Sequence, residues 1–509
     1  MIPLAEAVLR LDPGDEVGVA LHGIPAGTVL TDAALGEITV GSHIPQGHKV
    51  ALADCGVGAP VHKYGQAIGE ATARIAPGDH VHTHNLGMGT MSRDYEFGTA
   101  RISPAAPAGE RPVFQGYRRA SGRAGTRNYI GIVTSVNCSA STARMIADQF
   151  RGPVLDAFPN VDGVMALTHG SGCGMVLGSE GAEVLVRTLH GYAHHPNFAA
   201  LLVVGLGCEM LQTERFLDDA VSAVAVERLT IQESGGIRAS VRAGVELIGK
   251  MLPLVDGLQR EPIDVSELVL GMNCGGSDGF SGITANPALG VASDLLVAYG
   301  GTSVLAETPE VFGAEHLLTR RAVSPAVGEH LLQRLRWWQD YARQGGGTLD
   351  NNPSPGNKAG GLTTILEKSL GAVAKAGKAE LSRVVEYAAP VTGPGLVFMD
   401  TPGYDPVSVT GIVAGGANVV CFTTGRGSVL GCRPAPSIKL GTNTELYRRM
   451  PEDIDINCGV VIDGGVGLEE LGGAIFARIL ETASGRQTVS EELELGQDEF
   501  VPWQLGTVT

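Results

Sequence analysis

Four short, mainly apolar runs of this chain end in the same way, at a cysteine beside glycine or a polar residue. Continuous apolar runs are typical of strands buried on both faces of a parallel sheet. Open α/β sheets bind ligands in the crevice outside the carboxyl ends of their strands. We therefore expect an α/β fold with its chemistry at those ends. The runs and their cysteines are 130–136 with Cys138, 164–167 with Cys173, 201–204 with Cys208, and 268–270 with Cys274.

Other polar residues follow the same runs, among them His169, Glu209 and Asp278. A free cysteine taken alone is usually a small buried hydrophobe, and that alternative holds for each of the four separately. Their repetition at one topological place, each time beside glycine or a polar side chain, favours a functional site.

The length of 509 residues exceeds what one hydrophobic core fills, so about two to four domains are expected. A net charge of −17 argues against binding to nucleic acid or to an anionic membrane surface. A small anionic substrate remains compatible with this charge, provided that arginine or lysine is placed locally to bind it.

The sequence also points to a reducing compartment. The eight cysteines are scattered without a Cys-x-x-Cys pair, which fits neither a disulfide framework nor a structural zinc site. No run approaches the roughly 18 apolar residues of a membrane span, and the first residues do not read as a secretory signal. We expect a cytoplasmic protein without membrane association.

Residues 1–100 differ from the rest of the chain. Short alternating runs are separated by Gly/Pro turn signals such as Pro45-Gln46-Gly47, a pattern typical of a small all-β domain. An Ala/Pro-rich linker at 101–115 follows.

From 116 onward, strands alternate with helix-length segments, which predicts two α/β regions with mainly parallel sheets, at 116–260 and 261–509. The segments 139–150, 179–189 and 211–225 are the expected helices of the first region. In the second region, strands are expected at 303–306, 396–399 and 419–422. Residues 350–361 are too rich in polar residues, Gly and Pro for an element, and predict a lid or a binding loop.

His82 and His84 are two residues apart after a short apolar run. On a strand they would face the same side and could hold one metal ion together. Two ligands suit a catalytic site with open positions better than a closed structural one. The alternative is a solvated strand end.

Groups able to move a proton occur beside turns and strand ends: His48, Lys49, Tyr64 and His169. Two arginines sit among glycines and hydroxyls, Arg426 in Thr-Gly-Arg-Gly-Ser and Arg127 in Gly-Thr-Arg-Asn. A guanidinium binds a carboxylate in bidentate fashion, so both are candidate substrate clamps, with a charged turn as the alternative.

The Gly-x-Gly at 205–207 lacks the third glycine of a dinucleotide fingerprint.

These motifs together resemble the altronate/galactarate dehydratases, enzymes that remove water from a sugar acid to give a 2-keto-3-deoxy acid. The resemblance covers nearly the whole chain. It rests on Gly47-His48-Lys49, Lys63-Tyr64-Gly65, His82-Thr83-His84-Asn85, Gly125-Thr126-Arg127-Asn128, Gly205 to Glu209, Cys274 to Pro287, Asn352 to Gly361 and Thr424 to Gly427.

The resemblance implies a SAF domain of β-clip fold at the N-terminus. It also implies a divalent metal, with Fe2+ the expected ion and Mn2+ or another ion as the alternative. Asn273, Ser277 and Asp278 join Arg127 and Arg426 as expected substrate-binding residues. The metal ligands are expected to come from His82 and His84, or from Cys138, Cys173 and Cys274 with His169. A homo-oligomer is the expected assembly.

Several alternatives stay open. The His-x-His-Asn stretch resembles the altronate branch of the family, whereas 43–49 resembles the galactarate branch. A related lyase would expel sulfite from a sulfolactate instead of water from a sugar acid. An iron–sulfur hydro-lyase would use three of the cysteines as cluster ligands. A sugar-acid sensor would bind its ligand without turnover.

Overall fold

The computed structural model describes residues 1–89, 94–218, 221 and 223–506, and its fold class is the predicted one. A small strand-rich domain comes first, and two α/β regions follow it. Among the described residues, no helix is long and apolar enough to cross a membrane.

The N-terminal domain consists of three small sheets, in the orders β1-β4-β5, β2-β3-β6-β9 and β7-β8-β10. Its strands are short because turns interrupt the chain every few residues. Glycines that accept the left-handed region make these turns possible, for example Gly47 with φ 77° and Gly78 with φ 88°. The elements are β1 (Ile2–Pro3), α1 (Leu4–Ala7), β2 (Val8–Leu9), β3 (Val17–Ala20), β4 (Val29–Asp32), β5 (Gly36–Thr39), β6 (Lys49–Ala51), β7 (Pro60–Lys63), β8 (Gln66–Ala71), β9 (His80–Val81) and β10 (Leu86–Gly87).

The first α/β region is built on a parallel sheet of order β14-β13-β15-β16, as the apolar runs predict. A separate antiparallel sheet of order β12-β11-β17 flanks it. The elements are β11 (Val113–Arg118), β12 (Ala124–Gly125), β13 (Tyr129–Thr134), α2 (Ala140–Ala147), β14 (Gly163–Leu167), α3 (Glu180–Ala193), β15 (Phe198–Gly205), β16 (Ala225–Thr230), α4 (Ile237–Asp256) and β17 (Glu261–Asp264).

The helix expected at 211–225 is wrong. The described part of that segment contains a short 3-10 turn, Thr213–Arg215, and strand β16 already begins at Ala225. The buried residues Leu211, Phe216 and Leu217 do not follow a helical spacing, so no single helical face would bury all three. The long helix of this region is α4 instead.

The second α/β region contains a seven-stranded, fully parallel sheet of order β20-β21-β19-β18-β22-β23-β24. The elements are β18 (Val269–Cys274), α5 (Ala285–Ala298), β19 (Thr302–Leu305), α6 (His316–Thr319), α7 (Pro325–Gln344), α8 (Pro355–Ala359), α9 (Ile365–Val373), β20 (Leu381–Val385), β21 (Gly395–Met399), α10 (Asp405–Ala414), β22 (Val419–Thr424), β23 (Ser437–Gly441), α11 (Thr444–Arg449), β24 (Ile456–Asn457), α12 (Leu468–Ala483) and α13 (Val489–Glu492).

The strand order of this large sheet reverses at β18. The chain proceeds from β18 to β19 on one side, and later returns to place β22 on the other side of β18. Such a reversal opens a crevice at the carboxyl ends of the central strands. The ends of β18, β19 and β22 are therefore where this fold places a ligand.

Segment 350–361 is more ordered than expected. It contains a 3-10 turn, Leu349–Asn351, and the short helix α8. Ser354 and Asn357 form a capping box at the start of α8, which explains how so polar a segment starts a helix. The segment lies between the N-terminal domain and the large sheet.

Candidate active site

A buried cluster of charged groups lies at the reversal point of the large sheet. Cys274 ends β18, and its Sγ lies 3.5 Å from a carboxylate oxygen of Glu307 and 3.4 Å from one of Glu310. Glu307 follows β19 in a left-handed backbone conformation with φ 69°, rare for a residue other than glycine. Lys375 lies 2.8 Å from the Cys274 sulfur and 3.0 Å from Glu307, and Lys368 donates to Glu310 at 2.6 Å.

Burial controls the ionisation of this cluster. It raises the pKa of Cys274 well above that of a free thiol. Burial also opposes ionisation of Glu310, but Lys368 and Lys375 outweigh it and lower the pKa of that carboxyl. The pKa of Asp405 is raised to about 7, first by burial and then by the charges of Glu307 and Glu310. Burial raises the pKa of Glu307, although Lys375 opposes this effect.

Four histidines of the N-terminal domain gather on its surface facing this region. The ring centroids of His48 and His80 are 5.1 Å apart, those of His48 and His82 5.0 Å, and those of His80 and His84 5.6 Å. His48 Nδ1 lies 3.0 Å from His80 Nε2. We call His48, His80, His82 and His84 the histidine cluster.

Segment 350–361 orients two rings of the histidine cluster. His48 Nε2 donates to the carbonyl oxygen of Ala359 at 3.2 Å, and His82 Nε2 donates to that of Lys358 at 2.9 Å. A carbonyl only accepts, so both Nδ1 atoms carry lone pairs when the rings are neutral. Burial is the main cause of lowered pKa values in this cluster. The pKa of His48 falls to about 4 and that of His80 to about 3, and the pKa of His82 is also lowered. The rings of His48, His80 and His82 are therefore neutral at physiological pH.

The expected strand position of His82 and His84 is wrong. Strand β9 ends at Val81, and the amides of Asn85 and Leu86 both donate to the carbonyl of His82, which makes residues 82–86 a turn. The turn directs these rings toward His80 instead of aligning them on one strand face. His80 was not predicted as a site residue, although the alternation of His80, His82 and His84 was visible in the sequence.

Lys49 and Lys63 connect the two domains through one carboxylate. Glu367, near the start of α9, accepts from Lys49 at 2.8 Å and from Lys63 at 3.0 Å, and all three side chains are buried. Despite burial, the two lysines hold the pKa of Glu367 far below its usual range. Burial lowers the pKa of Lys49 to about 8. Lys49 also donates to the carbonyl of Gly361 at 2.8 Å, so its ammonium is fixed between the domains.

Tyr64 lies at the same interface. Its backbone is left-handed, with φ 63°, and its ring is 4.8 Å from the Lys63 ammonium. Burial raises the pKa of its hydroxyl. The two proton-transfer candidates Lys49 and Tyr64 are therefore placed in one buried network around Glu367.

A polar cavity of about 240 Å³ opens beside segment 350–361. The N-terminal domain contributes the turn at Pro45 and Gln46, and the large sheet contributes the loops after β18, β22 and β23. Ala359 and Gly360, which line it, directly precede the Lys49 partner Gly361. Its polar side chains are those of Gln46, Asp278, Arg426, Asn443, Glu445 and Arg449.

Asp278 is a fixed anchor of this cavity. It is buried, and its carboxylate accepts from Thr442 at 2.9 Å, Asn443 at 3.0 Å and Ser281 at 3.0 Å. A Cβ at Gly425 would lie 2.1 Å from the Asp278 carboxyl carbon, so only glycine fits there. This close approach positions the exposed Arg426 beside Asp278 at the cavity.

The other predicted residues of this sheet lie behind the cavity. The Ser277 carbonyl accepts from Asn357 of α8 at 2.8 Å. Asn273 is buried in β18, where its side-chain oxygen accepts from Ser408 at 2.7 Å. Ser277 ties the Asp278 loop to α8, Asn273 ties β18 to α10, and neither residue lines the cavity.

Arg127 and His169 have other partners. The Arg127 guanidinium is buried and uses all its donors on Glu491 and on the carbonyls of Thr126, Thr482 and Arg486, so none is left for a substrate. Both ring nitrogens of His169 bond to backbone, with Nε2 donating to Thr134 at 3.0 Å and Nδ1 accepting from Ser171 at 3.2 Å.

The predicted cysteine ligands are divided between two sheets. Cys138 and Cys173 are exposed in the first α/β region, whereas Cys274 is buried in the second with Glu307 and Glu310. The set of Cys138, Cys173, Cys274 and His169 is therefore not brought together.

Sequence reasoning missed the buried partners. Glu307 follows a predicted strand, so its position at a strand end was a usable signal. Lys368, Lys375 and Glu367 lie on or just after α9, and nothing in the local pattern marks them, because the contacts depend on how that helix packs.

The site is thus a polar cavity where a small β domain, carrying neutral histidines, covers the reversal point of a parallel sheet. This is the arrangement of an α/β enzyme with its active site between domains.

Comparison with known proteins defines the enzyme further. The altronate/galactarate dehydratase SAF domain matches residues 6–89. The second domain of D-galactarate dehydratase/altronate hydrolase matches 116–256, and the C-terminal domain of D-galactarate/altronate dehydratase matches 265–508. The chain belongs to the altronate/galactarate dehydratase family, and it is a hydro-lyase.

Two dehydratases match the chain nearly end to end, and a lyase subunit matches three quarters of it. Galactarate dehydratase (L-threo-forming) of Escherichia coli K12 is 39% identical over 490 residues, covering 94% of this chain and 93% of the relative. Altronate dehydratase of Bacillus subtilis 168 is 36% identical over 487 residues, covering 96% and 97%. The β subunit of (2R)-sulfolactate sulfo-lyase from Chromohalobacter salexigens is 36% identical over 393 residues, covering 76% of this chain and 96% of that subunit.

Proposed function

We propose that the enzyme dehydrates an acid of the altronate or galactarate class in the cavity between the N-terminal domain and the large sheet. The observation that carries this proposal is the position of Arg426 and Asp278 opposite Pro45 and Gln46 in one polar cavity. Its volume of about 240 Å³ lies below the roughly 300–1,000 Å³ of sites for drug-sized ligands, which suits a small acid.

Arg426 is the proposed clamp for the substrate carboxylate. Its guanidinium can form two parallel hydrogen bonds to a carboxylate, which fixes the acid's orientation as well as its charge. Arg449 lines the same cavity. A dicarboxylate would engage both arginines, whereas a monocarboxylate would engage one.

The histidine cluster is the proposed site of a divalent metal, with Fe2+ first and Mn2+ as the alternative. Metal-binding histidines usually donate their second N–H to a carbonyl or carboxylate, as His48 and His82 do to Ala359 and Lys358. Low pKa values keep these imidazoles in the neutral form that binds metals. A bound metal would act as a Lewis acid and stabilise negative charge on the substrate.

Dehydration requires a base for the α-proton and an acid for the departing 3-hydroxyl. Lys49 and Tyr64, in the buried network around Glu367, are the proposed proton-transfer groups, because His48 has one ring nitrogen on the Ala359 carbonyl and the other facing His80 and the proposed metal. Lys49 and Glu367 hold Gly361 and the adjoining wall in place. Asp278, fixed by its own hydrogen bonds, aligns the acid's hydroxyl groups.

The test is an assay of altronate and galactarate side by side. The protein is purified anaerobically, supplied with Fe2+, and followed for 2-keto-3-deoxy product, with a chelator control. We expect turnover of one acid and its loss with the chelator. Absence of product from both acids would contradict the proposed substrate class.

A second candidate is sulfite release from sulfolactate, favoured by the 76% of the chain that matches the sulfo-lyase β subunit. A further match, 37% identical over 81 residues, is to the α subunit of that enzyme. Sulfite formed from sulfolactate in the same assay, without dehydration of either sugar acid, would favour this candidate.

A further inference from the structure

The eight cysteines all lie in the described part of the chain. They form two groups according to their exposure to solvent. Five are buried, as is usual for this residue type. The other three are exposed: Cys138, Cys173 and Cys208. These three belong to the first α/β region.

Each exposed cysteine follows a strand of the same parallel sheet. Cys138 comes after β13, Cys173 after β14 and Cys208 after β15. In the order β14-β13-β15, these are three adjacent strands, with β13 in the middle. Neighbouring strands are about 4.8 Å apart, so the loops emerge side by side at one edge of the sheet.

Backbone hydrogen bonds tie the three loops together. The amide of Asn137, next to Cys138, donates to the carbonyl of Ser171 at 2.9 Å. The carbonyl of Gly172, next to Cys173, accepts from Leu211 at 3.2 Å. A Cβ at Gly172 would lie 2.2 Å from the Ser135 carbonyl oxygen, so glycine is required for the loops to approach this closely.

Hydrogen bonds from polar residues near the cysteines hold these loops in place. The Glu209 carboxylate accepts from the Ser135 hydroxyl at 2.6 Å and the Gly207 amide at 2.6 Å, which holds the Cys208 loop in shape. His169 ties the start of the Cys173 loop to β13 through Thr134 and Ser171. The Gln232 amide donates to the Cys208 sulfur at 3.4 Å. His169 and Glu209 are thus positioning residues for the cysteines.

The spacing of the three sulfurs does not suit a single tetrahedral ion. Thiolates on one tetrahedral ion with metal–sulfur bonds near 2.3 Å are about 3.8 Å apart. Among the described residues, the groups of three metal-binding side chains whose ligand atoms all lie within 4.8 Å are Cys274/Glu307/Glu310 and His190/His194/Asp218. The three exposed cysteines are not among these groups, so at least one pair of their sulfurs is more than 4.8 Å apart. An iron–sulfur cluster places each thiolate on a different iron.

We propose that Cys138, Cys173 and Cys208 bind an iron–sulfur cluster at the carboxyl edge of the first parallel sheet. The three thiolates hold three irons, and a fourth iron has no cysteine ligand from this set. Cys274 is not part of the centre, because it is buried in the other sheet with its own partners. The centre is separate from the cavity and does not depend on the substrate proposed for it.

The test uses the full-length chain, purified anaerobically and reconstituted with ferrous iron and sulfide. Visible absorbance, iron and acid-labile sulfide per chain, and electron paramagnetic resonance after reduction report the cluster. We expect a coloured protein with iron and sulfide in equal amounts. We expect Cys138→Ser, Cys173→Ser and Cys208→Ser each to lose most of both.

The matched control is Cys432→Ser, which changes a buried cysteine between β22 and β23 and should keep colour, iron and sulfide. Circular dichroism and melting temperature verify that each variant is folded. A colourless wild-type protein, iron bound without labile sulfide, or cluster content unchanged in the three variants would overturn the proposal. None of these readouts uses substrate turnover, so failure of the proposed dehydration would leave the result unaffected.

Discussion

Glu367 of α9 accepts a 2.8 Å hydrogen bond from Lys49 of the N-terminal domain, and both side chains are fully buried. The two residues are more than 300 positions apart in the chain. A buried ion pair is stable only while both partners are present, because either charge alone would be left unpaired away from water. This pair therefore fixes how the small domain covers the cavity.

Replacing Glu367 with Gln should weaken the docking of the N-terminal domain. The variant leaves Lys49 and Lys63 without their anion, at a cost of about 3–5 kcal/mol. The expected result is a lower melting temperature and faster hydrogen exchange at 43–64. Glu380→Gln is the control, since its ion pair with Arg101 is partly exposed and worth about 0–1 kcal/mol. Equal effects of the two substitutions would contradict a docking role.

The raised pKa of Asp405 should make the stability difference between the wild type and Asp405→Asn depend on pH. Its pKa is raised from 3.8 to about 7, so the folded state favours the protonated form and loses stability as pH rises between these values. Asp405→Asn removes that loss. We therefore expect the variant to gain stability relative to wild type as pH rises from about 4 to 7, measured by urea unfolding. A pH-independent difference would show that Asp405 is ionised normally in the fold.

Replacing Arg426 with Lys should raise KM and leave kcat less affected. Lysine keeps the positive charge but cannot form the bidentate pair with a carboxylate. Charge-assisted hydrogen bonds are worth about 1.5–3 kcal/mol, so KM should rise about tenfold or more. Arg448→Lys is the matched control, because Arg448 is exposed on α11 and is not among the residues that line the cavity. An unchanged KM in the Arg426 variant would remove this residue from the clamp.

The histidine cluster predicts a specific metal phenotype. His80→Ala should lower the affinity for Fe2+ or Mn2+, measured by titration of the anaerobic protein. His62→Ala is the control from the same domain, since His62 pairs with Glu16 and belongs outside the cluster. Metal affinity that is the same in both variants would place the ion elsewhere.

The fold was predictable from sequence because its strands are continuous apolar runs. Strands β13, β14, β15, β18, β21 and β22 all fall on such runs, and the Gly/Pro turns of the first 100 residues mark the strand-rich domain. The prediction of a helix at 211–225 was wrong because the buried apolar residues of this segment do not follow a helical spacing. The local hydrophobic pattern indicates whether a segment favours a helix or a strand. It does not show the tertiary packing that can override this preference.

The candidate site was predictable only in part. Residues at strand ends, such as Asp278 and Arg426, were found because parallel sheets place ligands there. Arg127 shows the limit of this reasoning, since the same Gly-rich surroundings occur in a buried structural ion pair with Glu491. Glu367 and Lys375 were missed because their contacts join segments that are distant in sequence.

The most direct test of the proposed active site is a crystal structure of the enzyme with the acid that it turns over. The prediction is that the acid occupies the cavity, with a carboxylate within hydrogen-bond distance of the Arg426 guanidinium and Pro45 and Gln46 covering it. An acid bound away from Arg426, for instance at the exposed cysteines of the first sheet, would contradict the proposed active site.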